Sequence, residues 1–92
     1  MNRTQFQVLV ILLYAKRGQE LVELGGGLIK VSTGFIARLS KLKQERIRPL
    51  LKSLHSLGYI TSLTLAHGHA VLQLKEPARH FHGILRRDSH ET

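Results

Sequence analysis

Apolar residues recur at spacings of three and four between residues 35 and 57, and at every second position beyond Ile60. The chain therefore switches there from helical to extended patterning. The stripe Ile47, Leu50 or Leu51, Leu54 and Leu57 predicts a helix over residues 44–57, with Gly58 as its stop and Ile60 opening a strand. Upstream, a shorter helix is predicted over residues 34–40, capped by Ser32 or Thr33. It should turn Phe35, Ile36 and Leu39 inward, while Ala37 is small enough for the next helix to cross closely. Lys41-Leu42-Lys43 would form the tight turn between the two, with Leu42 buried. Pro49 lies inside the longer helix, where it removes a backbone hydrogen bond and crowds the Glu45 carbonyl, so a kink or an irregular first turn is expected.

Past Ile60 the alternation predicts a β-hairpin with His67-Gly68 as a two-residue turn, which sets Leu65 opposite Ala70 and Leu63 opposite Leu72. Ahead of the helix pair, a first helix is predicted from near Thr4 to Lys16 or Arg17, with Gly18 as its stop. Phe6, residues 8–13 and Tyr14 make it apolar on nearly all sides, so it should be covered by neighbours, by a second copy of the chain, or by both. Residues 20–24 are expected to add a helical turn, Gly25-Gly26-Gly27 a mobile connection, and Leu28-Ile29-Lys30-Val31 a short strand. A final helix is expected from Pro77, with Phe81, Ile84 and Leu85 on one side. Closing the monomer core and joining a dimer are equally open roles for it. One domain over residues 1–88 and a disordered tail over 89–92 complete the expected organisation.

Ninety-two residues are too few for a deep catalytic cleft between subdomains, and near the size at which pairing with a second copy is an ordinary way to gain stability. The absence of cysteine excludes a disulfide framework and a thiolate zinc site. The apolar run over residues 8–15 falls well short of the roughly 20 residues that span a bilayer. No membrane partner and a cytoplasmic location are expected.

Charge changes the picture more. The formal net charge is +8, and residues 30–52 hold Lys30, Arg38, Lys41, Lys43, Arg46, Arg48 and Lys52 against the single acid Glu45. Seven cations against one anion give that segment +6, the footprint of a polyanion ligand; the bland alternative is a solvated face on a basic protein. Gln44, Glu45, Arg46, Arg48 and Lys52 would lie opposite the apolar stripe, where Arg can bridge guanine O6 and N7 and Gln can pair with adenine N6 and N7. Six histidines include His67-x-His69 and His80-x-His82, but residues two apart on a helix diverge by about 200 degrees, and neither pair is a ready chelate. No metal and no cofactor are expected. No nucleophile, base and orienting acid share a recognisable spacing, and Gly25-Gly26-Gly27 lacks the Lys-Ser/Thr of a phosphate-binding loop, so no catalytic residues and no enzyme are expected.

Ala37, Leu42, Ile47, Leu51 and Leu54, followed by Leu54-His55-Ser56-Leu57-Gly58-Tyr59-Ile60, resemble the winged helix-turn-helix family of bacterial, archaeal and phage DNA-binding proteins over about residues 31–74. Lys41, where that family often has Gly, and Pro49 depart from its pattern. The resemblance implies an α+β winged helix-turn-helix domain: three core helices, a two- to three-stranded antiparallel wing sheet and a C-terminal helix. It implies double-stranded DNA as partner, with helix 44–57 in the major groove. Thr33, Arg38, Lys41, Lys43, Gln44, Glu45, Arg46, Arg48, Lys52, His67 and His69 would be the contact residues. The wing tip has histidines where the family often has Arg or Lys, so a weak wing contact is expected, strengthened as imidazole protonates. The leading expectation is a homodimeric, nucleoid-associated transcriptional regulator joined through its first and C-terminal helices. A replication, partition or phage DNA-transaction factor is the alternative, and a protein-interaction winged helix is a third reading that the basic segment disfavours.

Overall fold

Two cap choices near the amino terminus decide where the first helix lies. Asn2 accepts from the Gln5 backbone N–H at 2.8 Å while the Gln5 side chain accepts from the Asn2 N–H at 2.9 Å, a reciprocal box that starts α1 (Arg3–Tyr14). The helix ends earlier than its apolar run suggests: Ala15 is already extended, and the Gly18 N–H donates to the Leu21 carbonyl at 2.9 Å instead of closing the helix. In this computed structural model, which describes residues 1–75, the remaining elements are β1 (Leu21–Gly25), β2 (Leu28–Ser32), α2 (Thr33–Ser40), α3 (Gln44–Ser56), β3 (Ile60–Ala66) and β4 (His69–Leu74). The expected helix from Pro77, its two histidines and the tail lie outside the described residues.

The result is a small α+β domain of three helices and a four-stranded antiparallel sheet in the order β1-β2-β4-β3. The expected two to three strands become four because residues 20–24 do not form a helical turn. Leu21 is buried against Val31 and Glu23 pairs with Ile29, so this segment is an edge strand with period-two register. The three glycines are not a loose connection. Gly25, Gly26 and Gly27 all have positive φ (92°, 62° and 81°) and build the tight turn joining β1 to β2. Gln73 of β4 pins that turn by donating to the Gly26 carbonyl at 3.2 Å.

The second hairpin has the predicted register, Leu65 opposite Ala70 and Leu63 opposite Leu72, around His67 and Gly68, both at positive φ. Strand β4 is central and joins this hairpin to β2 from Leu28 with Gln73 to Ser32 with His69. Ile29, Val31, Ala70 and Leu72 thereby share the buried face with Ile60 and Leu21. Val8, Leu9 and Leu12 of α1, Ile36 and Ala37 of α2, and Ile47, Leu51 and Leu54 of α3 complete one core.

Two apolar positions expected inside are exposed: Leu39 at 49% and Leu57 at 52%. Leu57 follows the last residue of α3, about 80 degrees off the Ile47 line, beyond the strip that the core covers. On α2 the inward line runs through Thr33, Ile36, Ala37 and Ser40, which leaves Leu39 on the flank facing the loop after α1. Ser40 sits inside because its hydroxyl donates to the Ile36 carbonyl at 2.7 Å. Pro49 neither ends nor divides α3, which is continuous through it.

Candidate nucleic-acid interface

Ser32 accepts from the Phe35 N–H at 3.3 Å and is the N-cap of α2, so Thr33 is the first helical residue and not the cap. At the other end Lys41 takes the left-handed conformation (φ 59°), and Leu42 folds back to donate to the Ala37 carbonyl at 3.1 Å and pack on the core. The three-residue turn is thus anchored by its apolar centre. Lys41 and Lys43 on either side are exposed. Lys43 precedes α3 without a side-chain cap, so the first amides of that helix have no side-chain acceptor.

With Ile47, Leu51 and Leu54 inward, a spacing of 3.6 residues per turn puts Glu45, Pro49, Lys52 and Ser56 along the outermost line of α3. Arg46 and Arg48 flank that line about 200 degrees apart. Ser53, on the Arg46 flank, accepts from Gln5 of α1 at 3.0 Å, and Gln44, on the Arg48 flank, donates to Thr33 of α2 at 3.0 Å. The two arginines therefore border α1 and α2 respectively.

The described charges sort in one direction. Glu23 pairs with Arg17 at 3.3 Å and Glu20 pairs with Arg38. Among the described residues, Lys41, Lys43, Arg46, Arg48 and Lys52 form no ion pair. Among the described residues, positive charge on the turn and α3 is therefore offset only by Glu45, which also suits the electropositive end of the helix.

Several expected contact residues take other places. Thr33 is buried at 3% exposure, and its hydroxyl donates to the Gly68 carbonyl at 3.0 Å, so it has no free face for a phosphate. Arg38 is exposed but shares its charge with Glu20, a pairing that emerges only once residues 20–24 are placed beside α2. Lys30, counted in the basic segment but not among the expected contacts, pairs in register with Val71 and Val22 on the sheet face away from the core. His67 and His69 are exposed at the β3–β4 turn, where the His69 ring Nδ1 lies 3.2 Å from the His67 carbonyl.

No family model, curated protein or solved structure matches the chain. Among the described residues no group of three or more His, Asp or Glu is gathered as metal ligands. No helix among the described residues is long and apolar enough to cross a membrane.

Proposed function

We propose that the chain is a winged helix-turn-helix domain that binds double-stranded DNA sequence-specifically, with α3 in the major groove. The carrying observation is the surface formed by Lys41, Lys43, Gln44, Arg46, Arg48 and Lys52. It is exposed, cationic, free of ion pairs among the described residues, and mounted on a helix whose other face is locked into the core. Cations held without partners lose little on meeting phosphates, because no internal pair has to be broken, and they release counterions from the duplex. A helix about 10–12 Å across with its side chains fits the major groove, where its outward and flanking side chains meet base edges and backbone phosphates.

On this reading α2 lies across the backbone and the β3–β4 hairpin is the wing, with His67 and His69 at its tip. The protein acts as a homodimer on a pseudo-palindromic site, most simply as a transcriptional regulator, without catalysis or cofactor. On this reading the second copy docks on α1, where Arg3, Phe6, Gln7 and Val10 border a shallow outer depression.

Affinity for a randomised duplex pool across a salt series, followed by sequencing of the retained fraction, tests the reading. An enriched inverted repeat with a steep salt slope supports it. Retention without enrichment would leave only an architectural role, and no retention at low salt would refute it.

A further inference from the structure

We infer that Gln44 is an adenine-reading residue of this interface, held in orientation by Thr33 of α2, a positioning residue anchored on the β3–β4 turn. This rests on the DNA-binding reading above and adds which base is read and what aims the side chain.

Three groups form a chain of hydrogen bonds whose direction is fixed by chemistry. A backbone carbonyl only accepts, so the Thr33 hydroxyl must donate its one proton to the Gly68 carbonyl, 3.0 Å away. That hydroxyl can then only accept from Gln44, so the group facing it at 3.0 Å must be the amide nitrogen and not the amide oxygen. Which way round the Gln44 amide sits is therefore determined. The Thr33 N–H also donates to Gly68, at 2.9 Å, which fixes the turn against the start of α2. The amide also lies close to the first turn of α2: a Cβ at Gly34 would be 3.8 Å from both Gln44 amide heteroatoms, an ordinary van der Waals distance.

One N–H of Gln44 is thus taken, and one N–H and the carbonyl oxygen remain at an exposed position. Adenine presents an acceptor at N7 and a donor at N6 in the major groove, which this donor and acceptor match. Guanine presents two acceptors there, for which only one donor is left. The relay therefore turns a side chain with two orientations into one with a single base preference, and it couples that preference to the wing turn.

The test is duplex selection with the unsubstituted protein and with Gln44→Ala, Thr33→Val, Thr33→Ser and Gln44→Glu. It is paired with hydrogen exchange of the Gln44 side-chain amide measured by NMR without DNA. The unsubstituted protein should prefer adenine at one half-site position by about tenfold, the scale of one good bidentate pair. Gln44→Ala and Thr33→Val should lose that preference, and Thr33→Ser should retain it. One Gln44 amide proton should exchange slowly, except in Thr33→Val. Gln44→Glu, a surface change that keeps the test open if Thr33→Val does not fold, should move the preference from adenine to cytosine. Full adenine preference in Thr33→Val, or no position that responds to Gln44→Ala or Gln44→Glu, overturns the inference. Failure of the unsubstituted protein to enrich any sequence removes the DNA-binding reading itself, and the inference with it.

Discussion

Lys41 holds a left-handed backbone that glycine adopts without cost and other residues adopt at roughly 1 kcal/mol. Replacing it with Gly should therefore stabilise the fold by up to about 1 kcal/mol in urea denaturation, while lowering the salt slope of duplex binding by about one counterion. A variant both more stable and undiminished in salt dependence would remove Lys41 from the interface. The two arginines of α3 belong to a different test. Arg46→Ala or Arg48→Ala should weaken binding to a selected site by about 1 to 3 kcal/mol where the arginine meets a base, whereas Lys52→Ala should weaken all duplexes alike. Because Arg46 and Arg48 sit on opposite flanks, their losses should add within about 0.5 kcal/mol in the double variant. Strong non-additivity, or three variants with unchanged binding, would contradict this placement of α3. Thr33 shows why single side chains were harder to interpret than the stripe around them: a threonine before a helix suggests a cap or a phosphate contact, and only the position of the distant Gly68 carbonyl assigns it otherwise.

Among the elements, Pro49 makes the clearest prediction. It interrupts the hydrogen-bond ladder of α3 on the outermost line, where water can reach the Glu45 carbonyl, so the helix survives with a local loss. Pro49→Ala should raise stability by about 1 to 3 kcal/mol, the helix gain being partly offset by a freer unfolded chain. Thermal melts would show this as a rise of several degrees, and an unchanged midpoint would mean that the ring contributes packing the sequence does not reveal. The helix pair, its turn and the β3–β4 register were legible because one strong period covers each of them. Strand β1 was not, since Leu21 and Leu24 are three apart and mimic a helical turn, while Leu24 occupies the register break beside Gly25. The usable signal was the pair Gly26-Gly27 facing Leu28-Ile29-Lys30-Val31, a hairpin turn beside a strand. Leu39 and Leu57 fit the helical period yet lie exposed, because periodicity says nothing of how wide a strip the neighbouring elements cover. At the interface, the exposed cations of the turn and α3 followed from patterning. The neutralisation of Arg38 by Glu20 and the removal of Lys30 to the other sheet face needed the tertiary arrangement.

At the scale of the whole molecule, both described acids outside α3 are paired away from it, so the field of the domain is directed by where its few anions lie as much as by its cations. Dissociation from duplex should accordingly accelerate steeply with salt, and a shallow dependence measured by stopped flow would argue that hydrogen bonds dominate. The sheet order carries a different consequence, one of time. Strands β1 and β2, and likewise β3 and β4, are joined by turns that close within microseconds, but β2 meets β4 only across a span of roughly 40 residues, at about 2 kcal/mol more loop-closure entropy. The α2–α3 unit lies wholly within that span, and once formed it shortens the gap that must close. The helix pair should thus gain amide protection ahead of the β2–β4 seam in pulse-labelled refolding, and Val31→Ala in the seam should slow folding more than Leu21→Ala at the edge. Seam protection preceding the helices would reverse that order, and with it the view that the helix pair is also what draws the two hairpins together.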